Sequence, residues 1–188
     1  SGAASRSLSA LPQYDNMFVR IAREVGDCQF VFLRHFGAPK ITAITRERLE
    51  RAFAAAGMHA DDHCVFLSRL SQSKFVAAAG LSDVFLDSIG WSGCNSALEC
   101  LAQALPIVTF EGKTMRGRHC AAILRMLDVP ETIATTIDDY VAIAARLGRD
   151  RQFRQTISSR MAEKRDKVYR DSAPVTALED FIERSVRG

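Results

Sequence analysis

A run of small and polar residues at positions 88–99 has the composition of a phosphate-binding loop that leads into a helix. It follows the apolar segment Val84-Phe85-Leu86 and precedes a helix-like segment that ends near Leu105. A loop of this kind lets a diphosphate approach backbone N–H groups, and the dipole of the following helix favours negative charge there. The run reads Ser88-Ile89-Gly90-Trp91-Ser92-Gly93-Cys94-Asn95-Ser96-Ala97-Leu98-Glu99.

One carboxylate follows this loop at a spacing that suits a ribose. Glu99 lies four residues after Asn95, so both side chains fall on one face of the predicted helix. A carboxylate in this position could accept hydrogen bonds from ribose hydroxyls. The loop matches neither a Walker A motif nor G-x-G-x-x-G. A turn followed by an ordinary helix N-cap explains the same residues equally well.

Composition is typical of a globular protein with one sizeable core. The chain has 188 residues, of which 47% are hydrophobic and 25% charged, and its net charge of +3 does not indicate a nucleic-acid partner. No secretory leader is visible, and there is no apolar run of the roughly 18 residues that span a membrane, so we expect neither a secretory signal nor a membrane span in these residues. Its five cysteines lack C-x-x-C spacing, which favours a reducing, cytoplasmic compartment over disulfides or a zinc site.

Helical patterns alternate with short apolar segments along the chain. The segments at 28–33, 63–67, 84–86, 107–110 and 132–134 predict strands, and the helical patterns include one at 45–56 with Thr45 as its N-cap. This alternation predicts an α/β domain with a parallel sheet that is covered by helices on both faces. The residues from 150 onward predict helices only, so we expect a helical appendage rather than more sheet.

A series of short motifs between about residues 83 and 147 resembles a known family. Each motif is unspecific, but their order and spacing resemble the C-terminal half of the O-GlcNAc transferase / SPINDLY group of GT-B glycosyltransferases, near the bacterial cytoplasmic N-glucosyltransferases. The motifs are Leu81-Ser82-Asp83-Val84-Phe85-Leu86-Asp87, the loop with Glu99, Ala104-Leu105-Pro106-Ile107-Val108-Thr109, Gly112-Lys113-Thr114-Met115 with Arg118, the Leu-x-x-Pro-x-x-Ile-Ala run at 127–134, Asp138-Asp139-Tyr140 and Ala144-Ala145-Arg146-Leu147.

The resemblance implies a Rossmann-like domain at 1–149 that binds a UDP-sugar donor, with a C-terminal helical extension at 150–188 packed on it. The strand that should precede Ser5 is expected to be missing or cut. By resemblance, the diphosphate is bound by Gly93, Cys94, Asn95 and Ser96, and the ribose by Glu99. Further candidate donor-binding residues are Arg6, Gln72, Phe75, Thr114 and Arg118.

Two departures from the family pattern affect the donor site. The family often has Lys, His and Arg where this chain has Gln72, Phe75 and Ala78. Phe75 could still stack on a base, but the charge at these positions is lost. Where O-GlcNAc enzymes usually have His-Thr-Thr, this chain has Cys94-Asn95-Ser96, which looks more like the N-glucosyltransferase branch and leaves the donor sugar open.

We therefore expect a domain that binds the donor of a protein glycosyltransferase, which would transfer GlcNAc or a hexose from a UDP-sugar to a protein side chain without a metal or other cofactor. The acceptor would bind through an N-terminal domain outside this chain, so no catalytic residue is assigned within it and the chain alone is expected to be inactive. A homodimer through the last helix is a further expectation.

The alternatives are a degenerate Rossmann-like interaction module and, more weakly, a nucleic-acid surface along the basic residues of 146–170. In that region, interleaved acidic residues favour a solvated helix face instead.

Overall fold

A six-stranded parallel sheet forms the centre of the protein. The structure is a computed structural model that describes residues 2–4, 11–34 and 37–187. Neighbouring strands follow the order β3-β2-β1-β4-β5-β6 and are parallel throughout. Strands β1 to β3 are thus added toward one edge of the sheet and β4 to β6 toward the other, so the strand order reverses between β1 and β4. The strands are β1 (Gly2–Ala4), β2 (Gln29–Leu33), β3 (Cys64–Leu67), β4 (Val84–Leu86), β5 (Ile107–Phe110) and β6 (Ile133–Ala134).

Helices cover both faces of this sheet, as predicted. The helices are α1 (Asp15–Val25), α2 (Pro39–Ala54), α3 (Ala60–His63), α4 (Gln72–Gly80), α5 (Asn95–Ala102), α6 (His119–Met126), α7 (Ile137–Arg149), α8 (Arg151–Lys164), α9 (Asp166–Tyr169) and α10 (Ala173–Arg187). Helix α1 packs against α2 and α7, whereas α4 packs against α5, and α5 against α8. The predicted α/β class with a parallel sheet is thus confirmed. Within the described ranges, no helix combines the length and the apolar character needed to cross a membrane.

A strand of three residues, Gly2–Ala4, precedes Ser5, where the sequence predicted a strand that is missing or cut. Gly2–Ala4 pairs with β2 on one side and with β4 on the other, so β1 occupies the centre of the sheet. Its Gly-Ala-Ala sequence has little intrinsic preference for strands. Pairing on both sides therefore determines its conformation.

The second helix begins earlier than its sequence pattern predicted. Pro39 lies in its first turn, where a proline is well accommodated, and Thr45 lies inside the helix. The buried Thr45 hydroxyl donates a hydrogen bond of 2.9 Å to the carbonyl oxygen of Ile41, one turn back. Thr45 is therefore not the N-cap.

The helical tail consists of a packed part and an exposed part. Ile157 and Met161 of α8 are buried, and the Ser158 hydroxyl donates to the carbonyl oxygen of Ala104 at 2.8 Å. In α10, by contrast, no described residue is buried. The last helix thus departs from the expectation that the whole extension packs on the domain.

Four basic residues of α8 and α9 form ion pairs with acidic residues of the domain. The pairs are Arg154 with Asp83, Arg160 with Glu131, and Lys164 and Lys167 with Asp128.

One buried carboxylate joins the segment that follows β4 to β5 itself. Asp87, at 2% exposure, accepts hydrogen bonds from the Ser92 hydroxyl at 2.7 Å, the Gly93 N–H at 2.7 Å and the Thr109 hydroxyl at 2.6 Å. The Ser92 oxygen in turn accepts a bond of 2.9 Å from the N–H of Cys120, near the start of α6. This network fixes the β4–α5 loop against β5 and α6.

Neighbouring groups reinforce the network from the core. The fully buried Tyr140 of α7 donates its hydroxyl hydrogen to the Asp87 carbonyl oxygen at 2.9 Å. Burial raises the pKa of the Asp87 carboxyl, and the hydrogen bonds from Thr109, Gly93 and Ser92 oppose that rise. Burial also raises the pKa of the Cys120 thiol well above its ordinary value, so this thiol stays protonated.

Replacing Asp87 by Asn is expected to lower the free energy of unfolding by about 1–3 kcal/mol, because the amide offers one acceptor oxygen and turns its own donors toward the network. Urea unfolding of wild type and variant at mildly acidic pH measures the difference. Asp62→Asn, at an exposed aspartate, is the matched control. A loss no larger than that of the control would contradict the anchoring role.

The stability difference between these two proteins should also depend on pH. Since the pKa of Asp87 is raised above 3.8 in the folded protein, the folded state binds this proton more tightly than the unfolded state. The resulting stability is fully present below the ordinary pKa and is lost as pH rises through the folded pKa. The advantage of wild type over Asp87→Asn should therefore narrow from about pH 4 toward neutrality. Unfolding curves across this range check the sign, and an advantage that grows with pH would contradict it.

Candidate functional site

The carboxyl edge of the sheet brings the predicted loop together with the segments after β3 and β5. At this edge α4, α5 and α6 begin, so their N-termini point toward the same side of the molecule. In open parallel sheets, ligands bind outside the carboxyl ends of the strands, where the strand order reverses. Here the reversal lies between β1 and β4, and the 88–94 loop follows β4 directly.

The 88–94 loop has a shape that two glycines permit. Gly90 has a φ of 89°, in the region that favours glycine. A Cβ on Gly93 would lie 3.1 Å from the Ser96 hydroxyl oxygen and 3.6 Å from a carboxylate oxygen of Asp87. A larger residue at position 93 would therefore press on both the anchor and the first turn of α5.

The first turn of α5 presents backbone N–H groups at the end of this loop. Cys94 occupies the N-cap position, and its side chain makes no capping hydrogen bond. The N–H groups in the first turn of a helix have no acceptor within the helix. Cys94 and Asn95 are exposed, Gly93 is half-buried and Ser96 is buried. The four predicted residues thus form one continuous segment, which is open to solvent at its centre.

A second loop, at 111–118, lies against the first. The Ser92 N–H donates to the carbonyl oxygen of Arg116 at 2.8 Å, and the Gly112 N–H donates to that of Gly117 at 2.8 Å. A Cβ on Gly112 would approach the Gly117 oxygen to 2.8 Å, so this close contact requires glycine. The backbone contacts bring the exposed cations of the second loop to the side of the first; they are Lys113, Arg116 and Arg118.

The structure also locates the remaining candidates. Thr114 is exposed in the second loop, and Arg118 directly precedes α6, which begins at His119. Glu99 is half-buried one turn into α5, and its Oε2 atom is enclosed by protein. Its position on the face of Asn95 agrees with the predicted spacing.

The candidates on α4 differ in accessibility. Gln72 is exposed in the first turn of the helix, at the carboxyl edge. Phe75 packs in the core and is 8% exposed, so little of its ring is available to a base. Arg6 lies outside the described residues.

Sequence reasoning missed two residues of this site. Asp87 anchors the loop, and the available signal was a polar residue directly after three apolar strand residues. Trp91 is 60% exposed, and the Arg116 guanidinium lies over its ring at 5.3 Å from the centroid. No local pattern distinguishes such an exposed tryptophan from a core residue. Among the described residues, no cluster of three or more His, Cys, Asp or Glu side chains could hold a metal ion.

Comparisons with known proteins agree with this architecture. The model of glycosyl transferase family 41 matches residues 9–171. The chain is 34% identical to a UDP-N-acetylglucosamine–peptide N-acetylglucosaminyltransferase of Caenorhabditis elegans over 86 residues, which are 46% of this chain and 8% of that protein. It is 24% identical to the protein of the same name from Giardia intestinalis over 109 residues, 57% of this chain and 7% of that protein.

A solved structure extends the likeness to almost the whole chain. A mutant O-GlcNAc transferase of Thermobaculum terrenum superposes with a TM-score of 0.81 at 26% identity, covering 97% of this chain and 35% of that one. The chain thus spans about a third of the solved relative and less than a tenth of the two curated ones. Since the family model matches most of its length and the fold agrees, the chain belongs to glycosyl transferase family 41, as a C-terminal domain of the GT-B type that resembles that of O-GlcNAc transferases.

Proposed function

We propose that this domain binds the UDP-sugar donor of a protein glycosyltransferase at the 93–99 segment. The observation that carries the proposal is the anchored loop at the N-terminus of α5, with a carboxylate one turn along the same helix. The relatives' names supply the class of donor, because two of them are transferases that use UDP-N-acetylglucosamine.

In this proposal the diphosphate lies against Gly93, whose own N–H is bonded to Asp87, and against the N–H groups of Cys94, Asn95 and Ser96. Anions are stabilised at a helix N-terminus by its partial positive charge and its unpaired donors. Arg118 and Lys113 add full positive charges from the second loop, and the Thr114 hydroxyl adds a donor. These cations compensate for the neutral residues on α4, at positions where the family often has basic ones.

The nucleoside would extend from the diphosphate along α5 and toward α4. Glu99 would accept hydrogen bonds from the ribose hydroxyls, and the exposed Gln72 would face the base. Phe75 would contribute at most the small exposed part of its ring.

The chemistry assigned to this domain is stabilisation of the leaving group. When the bond between the sugar and the diphosphate breaks, negative charge grows on UDP. Preorganised N–H donors and arginines stabilise such charge without reorganising at the moment of reaction. The proposal assigns this role to the loop and its cations, and it includes no metal or other cofactor.

The acceptor side of the reaction is proposed from the relatives. Both curated relatives are named as enzymes that act on peptides, so we propose a protein side chain as acceptor and GlcNAc or a hexose as the transferred sugar. Since the chain spans 35% of the solved relative, we propose that acceptor binding and transfer need parts of the enzyme beyond this chain. A homodimer through the exposed apolar side chains of α10 is a further part of the proposal; they are Val175, Leu178, Phe181 and Ile182.

One observation favours a second function, that of a degenerate interaction module. Gln72, Phe75 and Ala78 provide no charge along α4, and Phe75 is withdrawn into the core. A domain of this kind would keep the fold and lose the nucleotide.

UDP is expected to bind weakly to this chain and to perturb the amide signals of residues 93–99. The measurement is a titration followed by two-dimensional NMR, with uridine as the control ligand that lacks the diphosphate. If no signal shifts at millimolar UDP, or if the shifts cluster elsewhere, the interaction module becomes the better explanation.

Glu99→Gln should weaken UDP binding roughly 10- to 150-fold, because a hydrogen bond to a charged group is worth about 1.5–3 kcal/mol. The fold should keep its stability, since the two side chains have the same shape. Calorimetric titration gives the affinity, and Glu179→Gln on the exposed α10 is the matched control. Equal affinities for wild type and Glu99→Gln would remove Glu99 from the site.

The chain alone should transfer no sugar to protein or peptide, because orientation of donor and acceptor in a cleft between two domains supplies much of the rate. The assay uses radiolabelled UDP-sugar with candidate acceptors, with and without a supplied N-terminal half. Donor hydrolysis at a low rate is compatible with the proposal. Robust transfer by the chain alone would refute the two-domain requirement.

A further inference from the structure

Three exposed cations lie at the carboxyl edge of the sheet and take no part in the proposed donor site. They belong to the segments that follow β2 and β3, and we call them the outer cations: Arg34, Lys40 and Lys74. None of the ion pairs that join described residues engages an outer cation. In α8, by contrast, Arg154 and Arg160 are both paired with acidic residues. The carboxyl edge therefore keeps positive charge that no described acidic side chain offsets by direct pairing.

The helices that begin beside this edge add to its positive charge. Acidic residues are favourable in the first turn of a helix because they offset the partial positive charge at its N-terminus. Helices α3, α7 and α9 follow this pattern, whereas α2, α4, α5 and α6 have no acidic residue in their first turns. Lys40 instead lies in the first turn of α2, and Lys74 in that of α4. A cation at this end of a helix is locally unfavourable, and such conflicts are expected at functional sites.

The outer cations lie farther from the proposed diphosphate position than the cations of the second loop. Strand β1 separates β2 from β4, and β3 lies one strand beyond β2. Because neighbouring strands are about 4.8 Å apart, the chain leaves β2 about 10 Å and β3 about 14 Å from β4. The second loop follows β5, which is a direct neighbour of β4. The cations after β5 can therefore contact a diphosphate at Gly93, whereas we expect the outer cations to act on it over a distance.

We propose that the outer cations attract the anionic donor toward the site and so determine how fast it associates, an inference that rests on the proposed function. A surface lined by charge of one sign raises the local concentration of a ligand of the opposite sign and thereby its association rate. The range of this attraction depends on salt, since the screening length is about 30 Å at 0.01 M ionic strength and about 3 Å at 1 M. The contribution of the outer cations is therefore large at low salt and absent at high salt.

The test measures the association and dissociation rate constants of UDP, by NMR line-shape analysis of the amide signals of residues 93–99 during a titration. The test variant carries three substitutions together: Arg34→Gln, Lys40→Gln and Lys74→Gln. At about 10 mM salt, its association rate constant should fall roughly 3- to 10-fold below that of wild type, while the dissociation rate constant stays the same. The difference between the two proteins should disappear at about 1 M salt.

Two matched variants separate the position of the charges from their number. The first removes three exposed cations from the last turn of α2 and from the two ends of α8, and it should keep nearly the wild-type association rate; its substitutions are Arg51→Gln, Arg151→Gln and Arg165→Gln. The second keeps the charge of each outer cation and should also keep the wild-type rate; its substitutions are Arg34→Lys, Lys40→Arg and Lys74→Arg. Since all these side chains are exposed, urea unfolding should show that every variant is folded.

The outcomes distinguish this inference from the proposed function. Attraction by the outer cations is refuted if their removal leaves the association rate constant unchanged at low salt, or if the first matched variant loses as much. It is equally refuted if the loss lies in the dissociation rate constant and persists at high salt, because the outer cations would then contact the bound ligand. If wild type does not bind UDP at all, the proposed function fails and the inference fails with it.

Discussion

The site depends on one buried carboxylate, that of Asp87. It accepts hydrogen bonds from the loop after β4 and from β5, which neighbours β4 in the sheet. Asp87 holds Gly93 through its N–H and holds Ser92 and Thr109 through their hydroxyls. Burying a charge is costly unless hydrogen bonds compensate for it, so the donors must stay in place for the folded state to be stable. The loop before α5 is consequently set in position by the core rather than by a ligand. A loop that is already ordered loses less conformational entropy on binding.

The fixed loop brings two sources of positive charge to one side of the domain, where both can act on the same anionic ligand. The first turn of α5 supplies partial positive charge, and the second loop brings Arg116 and Arg118 beside it through the backbone bond from Ser92 to Arg116. The first loop contains no lysine or arginine, and α4 offers no cation at the positions where the family often has one. The proposed donor site therefore relies on backbone donors and on the cations after β5.

The α/β class, most strands and the loop before α5 could be predicted from sequence because apolar periodicity and helix-start signals are local. The features that the sequence did not predict depend on interactions between distant parts of the chain. Gly2–Ala4 forms a strand through pairing with two neighbours, although its residues do not favour one. Thr45 matched a cap by type, but Pro39 begins that helix earlier. Asp87 is hydrogen-bonded to Thr109 and Tyr140, which lie 22 and 53 positions away along the chain. No local sequence pattern reveals contacts over such separations. Periodicity also could not show that Phe75 faces the core.

The most direct measurement is a crystal structure of this chain with UDP soaked in. The central claim predicts diphosphate oxygens against Gly93 and within hydrogen-bond distance of the N–H groups of residues 94–96, with the Asp87 carboxylate still bonded to the Gly93 N–H and to Thr109 as it is without ligand. UDP bound elsewhere on the domain would contradict the claim. So would a loop that binds UDP only after it leaves Asp87, since the anchored conformation would then not be the binding one.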